Sequence, residues 1–138
     1  MVLITDVSQH VDAEDLTLLS AQRGKFLELV ATDHDYWGFD PESLHLLGLF
    51  SLLDVMLGIP MQDIVAHLPL DAKLKSALCG DTNSEYVSLL SLARCFEEAR
   101  WVEADRMVQQ LNLDKTKVGL SFQQSVAWAA DLTNIYAG

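Results

Sequence analysis

The stretch from Asp40 to Pro60 reads DPESLHLLGLFSLLDVMLGIP and predicts the central helix of the fold. Asp40 suits the N-cap, and Pro41 suits the first helical position, where its missing N–H is no loss. Gly58 can take the left-handed conformation that ends a helix. The residues between are apolar around nearly the whole circumference: Leu44, Leu46, Leu47, Leu49, Phe50, Leu52, Leu53, Val55, Met56 and Leu57. Because a surface helix keeps one polar face, we expect a buried central helix at about residues 41–57.

The rest of the chain predicts further helices and almost no strand. Apolar residues recur at steps of three and four from Asp12 to about Thr32, and again in the last 25 or so residues. Sustained alternation of apolar and polar residues is absent, and all three prolines stand at predicted helix boundaries. We therefore predict an all-α fold. It is one compact bundle of about seven helices spanning residues 1–138, with residues 1–11 as an N-terminal association segment.

The charge balance excludes several classes of partner. The chain of 138 residues has a formal net charge of −11 and only nine Lys and Arg. A nucleic-acid backbone or an anionic membrane surface requires basic residues, so we expect neither as a partner. Cys79 and Cys95 form no CxxC motif, and the N-terminus lacks the basic and long apolar regions of a signal peptide. These features predict a cytoplasmic protein with free cysteines.

The residue types of a divalent metal centre are present, but their pattern argues against one. His10, the pair His34-Asp35 and Asp54 could supply a His, a His-Asp pair and a second Asp. Metal ligands must converge from rigid elements, whereas His10 lies in the terminal segment and His34-Asp35 lies in an acidic loop. We predict that these side chains are solvated. The prediction is accordingly that the chain has no metal ligands.

Other catalytic patterns are weaker still. The glycines form no phosphate-binding loop, no serine stands in GxSxG, and neither cysteine has a neighbouring His. Glu97 and Glu98 are expected on a solvated helix face. Cys95, Trp101 and Trp128 stand at helical apolar positions and are expected in the core. We predict no catalytic residues, no cofactor and no cofactor-binding residues, so the chain is not expected to be an enzyme.

The central stretch also resembles a known family. Leu47 to Asp54, LGLFSLLD, followed by Gly58 and Pro60, is similar to the C-terminal half of the bacterial HDOD domain. The version it resembles most is fused behind EAL domains in cyclic-di-GMP signalling proteins. The resemblance runs from about Leu16 to Tyr136. It implies an HD-type fold that has lost most metal ligands.

One position makes that implication specific. In a catalytic HD protein, the Gly-Leu-Leu run of the core helix is followed directly by the His-Asp pair. Here Ser51-Leu52 follows Gly48-Leu49-Phe50, and an earlier family His would fall near Ser20 or Ala21. None of these residues replaces the lost ligands. The resemblance therefore implies a non-catalytic regulatory or protein-interaction role in bacterial signalling.

The resemblance lacks the N-terminal half of a full HDOD domain, so part of the central helix is expected to be uncovered. Since monomers rarely expose large apolar patches, we predict a homodimer, with an unknown protein partner as the other occupant. Two alternatives remain open, a small-molecule sensor and a divergent HD-type phosphohydrolase that uses His34 and Asp35. The candidate self-association or partner contacts are Val2, Leu3, Ile4, Val7, Trp37 and Phe39.

Overall fold

A computed structural model describes residues 13–34, 39–81 and 84–137, and these residues form an α-helical bundle without a strand. The all-α prediction is confirmed. The helices are α1 (Ala13–Asp33), α2 (Pro41–Phe50), α3 (Leu53–Leu57), α4 (Met61–Val65), α5 (Ala72–Leu78), α6 (Glu85–Glu97), α7 (Trp101–Gln110) and α8 (Lys115–Ala137).

The helix with the most extensive contacts among the described helices is α1. It packs against α2 on one side and α8 on another, and it also contacts α6. The shorter helices follow in chain order, so that α5 packs on α6, α6 on α7 and α7 on α8. The apolar residues of α1 form the centre of the core. There the ring centre of Phe26 lies 5.4 Å from that of Phe96 and 5.6 Å from that of Phe122.

The contact between α1 and α2 is a backbone-to-backbone crossing at two glycines. A Cβ atom on Gly48 would lie 2.5 Å from the Cα of Gly24, and one on Gly24 would lie 2.5 Å from the carbonyl oxygen of His45. Both distances are far below van der Waals contact. Only glycine at both positions allows this approach, which explains why a glycine stands in the middle of the apolar LGLF run.

The predicted single helix over residues 41–57 needs a correction, because it is divided into α2 and α3. Its two ends are as expected: Asp40 accepts from Ser43 N–H as N-cap, and Gly58 has φ +67° after the last turn. The break falls at Ser51, whose hydroxyl donates to the Gly48 carbonyl at 2.7 Å. A serine that bonds back to its own helix competes with the backbone ladder and bends the helix.

The division also changes which part is buried. In α2, the buried residues are Leu44, Leu47 and Gly48, which face α1, whereas α3 has no buried residue. The central stretch is apolar all round, yet one of its faces is buried and another is exposed. What packs against α3, rather than its own sequence pattern, decides its exposure.

Candidate functional site

A buried guanidinium group lies where α1, α6 and the end of α2 meet. Arg23 is 4% exposed. Its Nε and Nη2 atoms donate to the two carboxylate oxygens of Glu97, at 2.8 and 2.6 Å, and its Nη1 donates to the Ser51 hydroxyl at 2.8 Å. The bidentate pairing satisfies both charges without water. We call Arg23, Glu97 and Ser51 the polar centre.

The polar centre corrects the prediction made for Glu97, and the pairing of Arg23 with Glu97 was not predicted from the sequence. Glu97 was expected on a solvated face, but its side chain is only 10% exposed, while Glu98 is exposed as predicted. The available signal was Arg23 itself, which interrupts the apolar spacing of Leu19, Phe26 and Leu27 in α1. A charged residue within a buried stripe indicates a buried partner, because an unpaired buried charge is very costly. The sequence did not identify which carboxylate that partner is.

Ser51 has a second importance, since the resemblance places it where a catalytic HD protein has its His-Asp pair. Its hydroxyl accepts from Arg23 and donates to Gly48, so its hydrogen bonds are used within the fold. Ser20, near the other expected ligand position, is also buried and donates to the Thr17 carbonyl at 2.9 Å. Both serines use their hydroxyl groups in hydrogen bonds within the fold. Neither side chain has the imidazole nitrogen that a metal would need at this position.

His34 is buried and structural, which corrects the prediction that it is solvated. It is 2% exposed at the end of α1. Its Nδ1 lies 2.8 Å from the Val30 carbonyl oxygen, and its Nε2 accepts from the backbone N–H of Asp114 at 3.1 Å. These partners require the neutral ring with its proton on Nδ1. The imidazole thereby joins the end of α1 to the start of α8.

Of the other residues of the hypothetical metal centre, the structure describes Asp54 alone. His10 and Asp35 lie outside the described residues, and Asp54 lies in α3. Within residues 13–34, 39–81 and 84–137, no three His, Cys, Asp or Glu side chains are grouped closely enough to hold a metal ion. Both ring nitrogens of His34 are already in use. The phosphohydrolase alternative would therefore need a different conformation of this histidine.

A second polar cluster lies on the surface where α1, α2 and α8 meet. Lys25 pairs with Glu28 at 3.0 Å and lies 5.4 Å from the centre of the Trp128 ring. His45 Nδ1 lies 3.0 Å from the other Glu28 oxygen, close enough for an ion pair when protonated, although the angle is unsuitable for a hydrogen bond. Its ring meets Trp128 edge-on at 6.1 Å. These half-exposed pairs join three helices at the surface.

The small-molecule alternative requires a cavity large enough for a ligand, and one cavity lies between α5 and α6. Its volume is about 70 Å³, and its lining includes Ser51, Ala77, Leu90 and Arg94. Pockets for drug-sized ligands have volumes of roughly 300–1,000 Å³. This cavity has room for a few water molecules. Nothing in its geometry favours an organic ligand.

Several exposed aliphatic side chains lie on α3 and the turn after it. Val55 is 59% exposed, Leu57 57% and Ile59 44%. These three residues are called the α3 surface below. The hydroxyl of Thr17, in the second turn of α1, donates to the sulfur of Met56 at 3.7 Å. The α3 surface therefore lies beside the beginning of α1.

The residues predicted to contact a partner lie mostly outside the described ranges. Val2, Leu3, Ile4, Val7 and Trp37 are all outside them. Phe39 is described: it is half-buried, packs against the core, and meets the ring of Tyr86 edge-on at 5.1 Å. A partner contact through any of these residues stays a prediction.

The two tryptophans that were expected in the core have different environments. Trp128 is half-buried, as its contacts with Lys25 and His45 indicate. Trp101 is 54% exposed at the start of α7, with one edge against Phe96 at 5.7 Å, so the prediction of a core residue was wrong. The α6–α7 turn places it at the rim, where Val102 beside it is also exposed.

With this geometry in view, the chain can be compared with known proteins. It is similar to one part of two longer bacterial proteins. It is 31% identical over 122 residues to the cyclic di-GMP phosphodiesterase CdgJ of Vibrio cholerae serotype O1. It is 29% identical over 123 residues to the uncharacterized protein YuxH of Bacillus subtilis strain 168.

Each alignment covers most of this chain but only a small part of the relative. The first covers 88% of this chain and 28% of the relative, and the second covers 89% and 29%. The chain thus spans less than a third of the length of these curated relatives. No family model matches the chain, and no solved structure matches it. None of the described helices is both long and apolar enough to cross a bilayer.

Proposed function

We propose that this chain is a non-catalytic regulatory domain of bacterial signalling, of the HDOD kind, which acts through protein–protein contacts and self-association. The similarity to part of a cyclic di-GMP phosphodiesterase supports the signalling context. The single observation that carries the non-catalytic role is the polar centre. Ser51 holds the guanidinium of Arg23 at the position where the resemblance expects the metal-binding pair.

The charge of the polar centre strengthens this proposal. A divalent metal in the same place would be repelled by the buried guanidinium of Arg23, and Glu97 already uses both oxygens to neutralise that group. Arg23 is an internal cation that joins α1, α6 and the end of α2. We infer that it holds these helices together without a metal.

Metal-dependent hydrolysis gives the direct test. The purified chain is loaded with Mn²⁺, Mg²⁺ or Ni²⁺ and assayed on bis-p-nitrophenyl phosphate and on cyclic di-GMP, with metal content measured on the same sample. We expect no turnover above a protein-free control and less than a tenth of an equivalent of tightly bound metal. Turnover that requires metal and is lost in both His34→Ala and Asp54→Asn would overturn the proposal.

Self-association is supported by the α3 surface, because three aliphatic side chains within five residues are about half exposed. Light scattering across a dilution series measures the mass directly. We expect a dimer at tens of micromolar and at least a tenfold weaker dimer when Leu57 is replaced by Asp. Val102→Asp is the matched control, since Val102 is 75% exposed on α7. A monomer at every concentration would contradict self-association while leaving the non-catalytic role standing.

A further inference from the structure

The cavity between α5 and α6 connects solvent with the interior near the end of α2. Two of its lining residues differ in exposure: Ser51 is 8% exposed, whereas Arg94 on α6 is exposed. Because both residues line the same cavity, it leads from the surface to a buried hydroxyl group. A small solute that enters it exchanges part of its water shell for protein groups.

The charge of the cavity lining is opposite to that of the chain as a whole. The chain has 20 Asp and Glu against nine Lys and Arg. Among the described residues that line the cavity, Arg94 carries the only charge, and none is a carboxylate. Nearby, the guanidinium of Arg23 donates to Ser51 and is neutralised by Glu97. The lining is therefore positive, and a small anion is the solute that it favours.

The lining also provides hydrogen-bonding groups of both kinds. Ser91 and Arg94 stand three residues apart on α6 and so share one face of that helix. Neither side chain has a hydrogen bond or an ion pair with another described residue. Ser51 donates its proton to the Gly48 carbonyl and accepts from Arg23, which leaves it one lone pair that can only accept. The cavity thus offers donors at Ser91 and Arg94 and an acceptor at Ser51.

We propose that this cavity binds one phosphate group, with Arg94 and Ser91 donating to its oxygens and Ser51 accepting from its P–OH. The cavity volume of about 70 Å³ suits this ligand. A water molecule occupies roughly 30 Å³ of liquid, so an oxyanion of five heavy atoms has the size of about two or three waters. The inference goes beyond the proposed function and does not depend on self-association.

The carboxyl end of α5 does not need Arg94 as a cap. The backbone N–H of Gly80 donates to the Ala77 carbonyl, and that of Asp81 donates to the Ser76 carbonyl, at 3.0 Å in each case. These carbonyls at the end of α5 are therefore already hydrogen-bonded by the backbone, as in other helices that end at a left-handed glycine. The Arg94 guanidinium remains available to a ligand.

Isothermal titration calorimetry of the full chain with inorganic phosphate, at constant ionic strength, tests the site. We expect saturable binding that Arg94→Met weakens by about tenfold or more, since it removes a charge-assisted hydrogen bond. Ser91→Ala should weaken it several-fold. Arg106→Met is the matched control, because Arg106 is also an exposed arginine without an ion pair among the described residues, and it lies on α7 outside the lining. This control should leave the affinity unchanged within twofold.

Competition experiments distinguish the chemistry and the source of the ligand. At neutral pH phosphate carries a proton for the lone pair of Ser51 and sulfate carries none, so sulfate should compete several-fold less well. Phosphoserine supplies the same group as a monoester. Competition by phosphoserine that is stronger than that of phosphate and lost in Arg94→Met would identify a phosphomonoester as the ligand. Weaker competition would identify the free ion.

The contradicting outcomes are equally specific. An absence of saturable phosphate binding by the folded chain would overturn the proposal. Equal weakening by Arg94→Met and Arg106→Met would also overturn it, because surface charge alone would then explain the attraction. Sulfate that binds as tightly as phosphate would refute the role of Ser51 as an acceptor. None of these results bears on the non-catalytic role or on self-association, which have separate tests.

Discussion

At the scale of single residues, the pair of Arg23 and Glu97 places two charges away from solvent, with side chains 4% and 10% exposed. Removing water from two charges costs several kcal/mol for each, and their mutual attraction offsets this cost only when the geometry is good. Here all three guanidinium nitrogens have an acceptor within 2.8 Å. The pair therefore specifies how α1, α6 and the end of α2 meet more than it adds net stability.

A double-mutant cycle can measure this coupling. We expect Arg23→Met to lower the free energy of unfolding by about 3–5 kcal/mol, because it leaves the Glu97 carboxylate buried without a cation. Arg23→Met combined with Glu97→Leu should lose less than Arg23→Met alone, since no buried charge remains. Urea denaturation of the wild type, the two single variants and the double variant gives the coupling energy between Arg23 and Glu97.

The matched control is Arg100, which pairs with Glu98 and Glu103 at 3.0 Å in each case but is 45% exposed. Solvent weakens such pairs, so Arg100→Met should cost no more than about 1 kcal/mol. Equal losses for Arg23→Met and Arg100→Met would contradict the role of burial in this argument.

Single residues also show what could and could not be predicted from the sequence. The apolar stripe of α1 predicted that its positions are buried, and Arg23 was visible within it. Its partner Glu97 lies 74 residues away, and the partner of His34, Asp114, lies 80 residues away. No local spacing connects such pairs. Both residues were accordingly expected in solvent, but His34 is buried and the Glu97 side chain is only 10% exposed.

At the scale of elements, the crossing of α1 and α2 depends on Gly24 and Gly48. Since a Cβ on Gly48 would meet the backbone of α1, it could be accommodated only by moving the helices apart. We expect Gly48→Ala to lower the free energy of unfolding by about 2–3 kcal/mol, near the upper range for overpacked cores. Gly24→Ala should have a similar effect, because it meets the His45 carbonyl. Thermal and urea unfolding would measure both changes.

Gly119 offers the matched control in another helix. A Cβ at this position in α8 would meet no atom within 4 Å. Gly119→Ala should therefore raise the free energy of unfolding by about 0.5–1 kcal/mol, because alanine loses less backbone entropy in a helix. The same chemical change thus has opposite signs at positions 48 and 119. A loss of stability in both variants would show that helix crossing is not the cause.

The elements were also predictable to different degrees. The caps at Asp40 and Gly58 were correctly predicted, because their signals are local to the chain. The break at Ser51 was not predicted, because serine also occurs within continuous helices, and its bond to the Gly48 carbonyl is seen only in the folded structure. An isolated reading of an apolar stretch cannot distinguish one long helix from two.

At the scale of the whole molecule, packing predicts how stability depends on high pH. Burial raises the pKa of the Cys95 thiol above its ordinary 9.0, and this outweighs the lowering by the charge of Arg100. Burial also raises the pKa of Tyr86 above 10.0, and Asp71 and Asp40 add to that effect. In the unfolded chain both groups release their protons at lower pH than in the folded protein.

The sign of the effect follows from which state binds more protons. Below pH 9 both states keep the thiol protonated, and the contribution of Cys95 is fully present. As the pH rises above 9, the unfolded state loses its proton first, so the free energy of unfolding falls by at most about 1.4 kcal/mol per pH unit per group. Cys95→Ala should flatten this fall between pH 9 and 10, as measured by urea denaturation.

Cys79 is the control for this experiment, since it is exposed. Cys79→Ala should leave the pH dependence unchanged within error. If Cys95→Ala and wild type lose stability equally as the pH rises from 8 to 10, burial of the thiol does not contribute as described.

The sequence by itself determined the helical class, the two caps of the central stretch and the acidic character of the chain. These properties depend on residues close together in the sequence or on composition alone. Only the tertiary structure decided that the apolar stretch divides at Ser51, that α1 makes the most extensive helix contacts, and that Val55, Leu57 and Ile59 are exposed. Burial depends on what packs against a residue, and the sequence of α3 alone does not show which neighbours the fold supplies. The same reason applies to the polar centre, where Arg23 obtains its two partners from different helices.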